Sequence, residues 1–247
     1  MPRFFVQPEQ INSDTAVING PDVKHISRVL RMETGNNLTL LDGRGNVYLA
    51  QILEINKQEV HCRILEQQEA TSEPTVKVTL VQGLPKGDKM ETIIQKCTEL
   101  GVSSIIPLAA ARSIVKLDAK KAAERVQRWQ RVAVEAAKQC RRSGIPEVYM
   151  LSSWDEILQQ IPPDALVLMP WEGERTKSLR EVLQTRPMAP GQVYIFIGPE
   201  GGFEEEEVER VKEKGFYPVT LGSRILRTET AGPAALTMVL YQFGELG

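Results

Sequence analysis

From residue 75 onward, strand-like and helix-like segments alternate along the chain. "VKVTLVQGL" (76–84) predicts a buried strand, "DKMETIIQKCTELG" (88–101) a helix closed by Gly101, and "SSIIPL" (103–108) a second strand. A long helix over roughly 118–141 and four further strand–helix pairs follow, and the last helix is predicted to open at Gly232-Pro233. Such alternation predicts an α/β fold in which helices cover both faces of a parallel sheet.

The first seventy or so residues have a different pattern. "LTLLDG" (38–43), "NVYLAQILEI" (46–55) and "EVHCRIL" (59–65) predict strands, and "DVKHISRVLRM" (22–32) has helical spacing with Ile26, Val29 and Leu30 on one side. "QQEATSEPT" (67–75) is typical of a polar linker. We therefore expect a small β-rich domain over residues 1–72 and an α/β domain over residues 75–247.

Composition excludes several kinds of chemistry. Only two histidines occur, which argues against a histidine-ligated metal centre and against a Ser-His-Asp triad. The three cysteines are far apart and match neither a disulfide framework nor a zinc spacing, so we expect a reducing, cytoplasmic setting. No apolar run is long enough to cross a bilayer, and the N-terminus lacks the layout of a signal peptide. We expect neither a membrane nor a metal among its partners.

Positive charge is concentrated in one segment. Residues 112–142 contain ten Lys/Arg against three Asp/Glu, although the whole chain carries a net charge of −2. On the long helix the basic residues recur at helical spacing opposite an apolar stripe that includes Trp129. This pattern is compatible with the solvated face of a surface helix and with a surface that binds a nucleic-acid backbone.

Three unusual loops follow three predicted strands late in the chain. They are the segment around Met169-Pro170-Trp171-Glu172, the turn 198–202 ("GPEGG"), and the segment 221–235 ("LGSRILRTETAGPAA"). In open α/β sheets, ligands bind beyond the carboxyl ends of the strands, so three such loops predict a ligand site. Each loop taken alone could be no more than a tight turn.

The loops match neither common phosphate-binding motif, G-x-x-x-x-G-K-[ST] or G-x-G-x-x-G. Four glutamates (204–207) follow the second loop, and negative charge at a helix start disfavours a bound anion. A dinucleotide-dependent oxidoreductase is therefore disfavoured, and a neutral or cationic ligand is expected.

Several separate stretches resemble one known family. "IGPEGGFEEEEV", "LGSRILRTETA", "KGDKMETIIQKCTELGV" and "HISRVLRMETG" are similar to the family that methylates N3 of a uridine in small-subunit (16S) ribosomal RNA, a member of the SPOUT methyltransferases. The resemblance covers nearly the whole chain. It implies a PUA-like RNA-binding β-barrel domain over 1–72 and a SPOUT domain with a C-terminal trefoil knot over 75–247.

The resemblance also implies a cofactor, partners and binding residues. The methyl donor would be S-adenosylmethionine, which carries a sulfonium cation and no phosphate. The substrate would be ribosomal RNA in the assembled small ribosomal subunit, and the enzyme would be a homodimer that packs through its knotted domain. The implied cofactor site consists of Met169, Pro170, Trp171, Glu172, Gly198, Pro199, Glu200, Gly201, Gly202, Leu221, Gly222, Ile225, Leu226 and Arg227.

Catalytic and RNA-binding roles follow from the chemistry of the transfer. Arg227 is the candidate for stabilising negative charge on the uracil, and Glu229 is a candidate base or a helix-capping carboxylate. The candidate RNA contacts are Arg3, His25, Arg28 and Arg31 in the small domain, and Lys86, Lys89, Arg128, Arg131 and Arg142 in the large one. His25 is equally compatible with a packed core histidine.

Two alternatives to this function stay open at the level of the sequence. One is a SPOUT enzyme that methylates another acceptor, such as a ribose 2′-oxygen or guanine N1. The other is a catalytically silent RNA-binding protein with the same fold.

Overall fold

The computed structural model describes residues 1–69, 72–115, 117–186 and 189–246. The chain divides into two compact units. Unit 1 comprises Met1–Glu73 together with Ala137–Ile145, and unit 2 comprises Pro74–Ala136 and Pro146–Gly247. The sequence prediction assigned 137–145 to the large domain, but in the structure this segment packs with the N-terminal residues.

Unit 1 is built on a five-stranded sheet. Its strands are β1 (Arg3–Phe5), β2 (Thr15–Asn19), β3 (Asn37–Leu41), β4 (Val47–Ile55) and β5 (Glu59–Gln68), in the order β1-β3-β4-β5-β2. Only the β1–β3 pair is parallel. The sequence predicted β3, β4 and β5 but not β1 and β2, which have three and five residues.

The predicted helix in unit 1 is shorter than its apolar spacing indicated. Helix α1 (Pro21–Lys24) continues as a π-helical turn (His25–Val29), closed by a hydrogen bond from Leu30 N to His25 O at 2.9 Å. Ile26 is buried, but Val29 and Leu30 are exposed, so the predicted common face of these three residues is wrong. The wider i→i+5 turn breaks the 3.6-residue period on which that prediction rested.

Unit 2 is a six-stranded sheet with helices on both faces. The strands β6 (Lys77–Gly83), β7 (Ser104–Leu108), β8 (Glu147–Val148), β9 (Leu166–Pro170), β10 (Gln192–Ile197) and β11 (Tyr217–Val219) have the order β11-β9-β10-β6-β7-β8. Every neighbouring pair is parallel. The helices are α2 (Lys89–Leu100), α3 (Ala119–Gln139), α4 (Trp154–Gln160), α5 (Leu179–Gln184), α6 (Glu205–Glu213) and α7 (Thr228–Gln242).

Alternate residues of the strands pack into two separate cores in unit 2. On β10, Val193 and Ile195 pack into one core with residues of α2, α3, α5 and α7, whereas Tyr194 and Phe196 pack into the other with residues of α4 and α6. Trp129 of α3 is buried in the first core, as its place on the apolar stripe predicted. The prediction of a parallel sheet covered on both faces is confirmed.

Local signals explain three of the helix ends, and one helix start differs from the prediction. Ser153 and Ser178 form capping boxes at the starts of α4 and α5, and Gly101 (φ 103°) closes α2 as predicted. The helix that differs is α7, which begins at Thr228 and carries Pro233 in its interior. The prediction that Gly232-Pro233 opens this helix is therefore wrong.

Within the described residues, no helix is both long enough and apolar enough to span a membrane.

Candidate active site

Three loops meet at the carboxyl edge of the sheet in unit 2. They follow β9, β10 and β11, which are adjacent in the sheet and parallel, so their carboxyl ends lie along one edge. The first loop is 171–173, the second is 198–204 and the third is 220–227. The sequence predicted these loops as a ligand site.

The first and third loops border a cleft of about 650 Å³. This volume lies within the roughly 300–1,000 Å³ range of small-molecule sites. Its lining includes seven of the fourteen residues predicted for cofactor binding, namely Pro170, Trp171, Glu172, Leu221, Gly222, Ile225 and Leu226. The side chain of Met169 is buried in the core that contains Tyr194 and Phe196, and it does not line the cleft.

The second loop approaches its neighbours so closely that two positions require glycine. Gly202 has φ 69°, and a Cβ there would lie 2.6 Å from Glu172 Oε1, so the first and second loops are in contact. A Cβ on Gly83, at the end of β6, would lie 2.6 Å from Pro199 Cδ. Arg112 holds the turn from outside by donating from Nη1 to Gly201 O at 2.9 Å.

A buried hydrogen-bond network joins the second and third loops. The Thr228 hydroxyl donates to Gly198 O at 2.7 Å and accepts from Gln82 Nε2 at 2.9 Å. Gln82 is fully buried at the end of β6, and its Oε1 has no hydrogen-bond partner within the described residues. Sequence reasoning placed Thr228 in the third loop without giving it a role, and it missed Gln82. The signal was present, because Gln82 is the one strongly polar residue of the apolar run 78–84.

At the acidic start of α6, one of the glutamates is buried and accepts hydrogen bonds from the surrounding chain. Glu207 is buried; its Oε1 accepts from Trp154 Nε1 at 2.7 Å and from Ala111 N at 2.9 Å, and its Oε2 accepts from Glu204 N at 2.9 Å. The N-terminus of α6 is therefore capped by carboxylates of its own chain. This geometry agrees with the expectation that no phosphate is bound there.

Lys89 links the second loop to the start of α7. Its Nζ lies 2.9 Å from Glu200 Oε1 and 3.4 Å from Glu229 Oε2. The hydrogen bond to Glu200 raises the pKa of Lys89. Burial alone would raise the pKa of Glu200, but the hydrogen bonds from Lys89 and from the Lys86 backbone hold it below its ordinary value. Both groups stay charged near neutral pH.

The two predicted catalytic residues stand at the opening of α7. Arg227 is the N-cap residue, its side chain is 84% exposed, and its Nη1 lies 4.0 Å from Glu229 Oε1. Glu229, in the first turn, is mostly buried and faces both Lys89 and Arg227. Lys89 thus joins Glu200 to Glu229, and Glu229 in turn lies beside Arg227.

The remaining basic residues predicted for unit 2 are exposed. Lys86 precedes α2, and Arg128 and Arg131 lie on α3. Arg128 Nε is 2.7 Å from Glu91 Oε1, so part of its charge is balanced within the chain. Arg131 keeps its guanidinium at the surface; among the described residues it donates only to Gln127 O at 3.4 Å, a weak bond within the same helix.

In unit 1, Arg142 differs from the other residues predicted to bind RNA. Its side chain is 7% exposed, and its Nη2 lies 2.6 Å from Glu73 Oε2. The prediction that Arg142 contacts RNA from the large domain is not supported, because its guanidinium is buried against a carboxylate of unit 1. Arg3, His25, Arg28 and Arg31 are exposed, and Arg3 Nη1 donates to Arg141 O at 2.9 Å.

No cluster of metal-ligating side chains occurs in the described part of the chain.

Two family models match this chain. One describes an RNA methyltransferase domain and matches residues 71–240, and the other describes an RNA methyltransferase PUA domain and matches residues 18–65. Together with the parallel sheet and the cleft at its carboxyl edge, they define the class of protein as an RNA methyltransferase.

Relatives narrow the class. Ribosomal RNA small subunit methyltransferase E of Bacillus subtilis is 37% identical, with 98% of this chain and 97% of the relative covered. A crystal structure of ribosomal RNA small subunit methyltransferase E from Neisseria gonorrhoeae bound to S-adenosyl methionine is 34% identical, with a TM-score of 0.83 and 98% and 97% of the two chains covered. The chain belongs to the ribosomal RNA small subunit methyltransferase E family. The predicted fold, a SPOUT domain preceded by a small PUA-like domain, is confirmed.

A further solved relative has the same fold. The structure of the methyltransferase Lpg2936 from Legionella pneumophila, in complex with the bound cofactor SAM, is 33% identical to this chain. It covers 97% of this chain and 96% of its own, with a TM-score of 0.80.

Proposed function

We propose that this protein transfers a methyl group from S-adenosylmethionine to N3 of a uridine in 16S ribosomal RNA. The observation that carries the proposal is the convergence of three loops, from three adjacent parallel strands, on one edge of the sheet with a cleft of about 650 Å³. The family and its S-adenosylmethionine-bound relatives support the same reaction.

Residues of the three loops fit this cofactor. Gly202 has φ 69° and no side chain, so backbone groups of the second loop can approach a flat ring. The carboxylate-capped start of α6 suits a sulfonium cation better than a phosphate. We propose that Pro170, Trp171, Glu172, the 198–202 turn, and Leu221, Gly222, Ile225, Leu226 and Arg227 hold the cofactor, which supplies an electrophilic methyl group.

Arg227 is the proposed stabiliser of the uracil. Removal of the N3 proton spreads negative charge over N3 and its flanking carbonyl oxygens, and a guanidinium stabilises such charge without losing its own proton. Arg227 is the last residue of the third loop and its side chain is exposed, so a base brought out of the RNA can reach it.

Glu229 as the general base is a weaker proposal. Two cations lie beside this carboxylate: Lys89 Nζ is 3.4 Å from its Oε2, and Arg227 Nη1 is 4.0 Å from its Oε1. In this geometry Glu229 serves better to hold Lys89 and Arg227 than to accept the N3 proton.

The variant Glu229→Gln separates these two roles. A base contributes roughly 100-fold or more to turnover, and its loss changes the dependence of kcat on pH. We expect Glu229→Gln to lower kcat only a few-fold, with the pH profile unchanged in shape, because the substitution removes an ion pair and keeps the size and shape of the side chain. Glu205→Gln, on the exposed start of α6, is the matched control. A 100-fold loss with an altered profile would restore Glu229 as the base.

RNA binding is proposed for the exposed cations. These are Arg3, His25, Arg28 and Arg31 in unit 1, and Lys86, Arg128 and Arg131 in unit 2. Lys89 and Arg142, whose charges are taken up by carboxylates, are assigned to positioning and to packing instead. We further propose that the enzyme is a cytoplasmic homodimer that packs through unit 2 and acts on the assembled small subunit.

The test is methyl transfer to small ribosomal subunits from cells that lack this activity. The subunits are incubated with the protein and labelled S-adenosylmethionine, and the labelled nucleoside is identified after digestion of the RNA. We expect 3-methyluridine. Label in a ribose 2′-oxygen or in guanine would overturn the acceptor, and absence of both transfer and cofactor binding would leave a silent RNA-binding protein.

A further inference from the structure

The only cation-rich stretch of the N-terminal residues lies in one short turn. Residues 1–73 contain ten Asp/Glu and seven Lys/Arg, so this part of the chain is acidic. Three of the seven cations, Lys24, Arg28 and Arg31, lie within residues 24–31, which contain no Asp or Glu. We refer to this segment as the 24–31 turn.

The 24–31 turn presents an apolar pair between its arginines. Val29 is 70% exposed and Leu30 is 39% exposed, and they stand between Arg28 and Arg31, both also exposed. Val29 is the last residue of the π-helical turn, and Leu30 is its C-cap residue. The helical spacing predicted both side chains on one face with Ile26, so their exposure is a difference from that prediction.

The base of the turn is rigid. Val23 and Ile26 are buried in the core of unit 1, and Ser27 Oγ donates to Val23 O at 2.8 Å. Arg31 closes the turn with φ 50°, a left-handed conformation that costs a non-glycine residue roughly 1–2 kcal/mol. The turn is therefore anchored to the core of unit 1 through Val23 and Ile26.

The cations of the turn have no carboxylate partner within the described residues. No ion pair joins Lys24, Arg28 or Arg31 to an Asp or Glu there. An exposed apolar pair framed by unpaired positive charge matches a polyanion that also offers apolar surface. Folded RNA has both, because its phosphates lie beside riboses and unstacked bases.

We propose that the 24–31 turn docks on folded RNA, with Arg28 and Arg31 on phosphates and with Val29 and Leu30 packed on ribose or base surface between them. This inference rests on the proposed function, which makes RNA the substrate, and adds an apolar contact to the electrostatic ones. The cations set the position and the salt dependence of binding, whereas the apolar pair adds affinity that salt does not screen.

The test measures the affinity of the full-length protein for small ribosomal subunits over a series of KCl concentrations. Val29→Ser/Leu30→Ser removes the apolar pair. Leu53→Ser/Leu65→Ser, two exposed leucines of the same unit, is the matched control. Arg28→Gln/Arg31→Gln removes the two charges. Thermal unfolding checks that each variant remains folded.

We expect Val29→Ser/Leu30→Ser to weaken binding about tenfold at every salt concentration, with the slope of log K against log [KCl] unchanged. Arg28→Gln/Arg31→Gln should reduce that slope by roughly 0.7 for each phosphate that the variant no longer neutralises. The leucine control should bind as the unchanged protein does. Equal binding of all variants, or an equal loss in the leucine control, would overturn the proposal.

Two further outcomes identify other partners and would also overturn it. A loss on subunits that is absent on protein-free 16S ribosomal RNA would transfer the contact to a ribosomal protein. A change from dimer to monomer in sedimentation would make the turn an interface between copies of the chain. Binding is measured without methyl transfer, so the binding result can be interpreted even if the proposed reaction does not occur.

Discussion

Single atoms at the strand ends determine the shape of the candidate site. Gly202 packs against the Glu172 carboxylate, and the Thr228 hydroxyl bridges Gly198 and Gln82. Each contact joins residues that are distant in the chain, so a change of one methyl group or one hydroxyl affects two loops at once. Steric fit at this scale is therefore a direct test of the cofactor site.

The variant Gly202→Ala should weaken cofactor binding. The added Cβ would meet Glu172 Oε1 at 2.6 Å in a backbone conformation (φ 69°) that disfavours alanine by roughly 1–2 kcal/mol. We expect about a tenfold rise in the Kd for S-adenosylmethionine, measured by calorimetry. Gly191→Ala is the control, since a Cβ there meets nothing within 4 Å. Unchanged affinity would remove the second loop from the site.

At the scale of elements, the residues that follow α3 are held by hydrogen bonds to Glu73. This carboxylate accepts hydrogen bonds from the Arg142 side chain and from the backbone N–H groups of Ser143 and Gly144. A single carboxylate thus satisfies the peptide groups that follow the helix. Arg142 thus packs inside unit 1, although it follows the same basic helix that carries Arg131.

A pair of variants distinguishes these two arginines. Arg142→Met leaves the Glu73 carboxylate without its partner in a buried place, and should lower the free energy of unfolding by about 3 kcal/mol. Arg131→Met should leave stability within about 0.5 kcal/mol but weaken RNA binding and reduce its salt slope. Urea unfolding and subunit binding measure the two effects. The reverse pattern would return Arg142 to the RNA surface.

The Glu73–Arg142 pair also predicts a dependence of stability on pH. Burial alone would raise the pKa of Glu73, but Arg142 and the backbone donors hold it below its ordinary value of 4.5. A depressed pKa stabilises the fold above the unfolded pKa, and this contribution is lost as pH falls through the folded pKa. The stability gap between the unchanged protein and Glu73→Gln should therefore narrow below pH 4.5. Glu66→Gln is the control, because Glu66 is exposed on β5. A difference in the free energy of unfolding that does not change with pH would contradict the assignment.

At the scale of the whole molecule, the exposed face of α7 is the surface on which the proposed dimer can be tested. Met238 and Tyr241 are exposed on this helix. If copies of the chain pair through unit 2, Met238→Lys/Tyr241→Lys should halve the mass found by sedimentation, because two charges would be buried without partners. Leu53→Lys/Leu65→Lys should not change it. A monomer before substitution, or a dimer that survives it, would contradict the prediction.

The sequence predicted the features that depend on short-range pattern. Strand–helix alternation predicted the parallel sheet, and Gly201-Gly202 marked a loop at a strand end. It could not predict the π-helical turn at His25–Val29, because hydrophobic spacing alone does not reveal a change of helical period. Nor could it show that Glu207 and Arg142 are buried, since their partners lie 53 and 69 residues away along the chain.

The same segment at the end of α3 has a consequence for how the chain is made. Unit 1 needs residues 137–145, so it cannot be completed while only its first 73 residues have left the translating ribosome. Glu73 emerges 69 residues ahead of the guanidinium that neutralises it. At synthesis rates of about 5–20 residues per second, that wait is roughly 3–14 seconds. A fragment that ends at residue 73 would lack residues 137–145 and would therefore stay in this incompletely folded state.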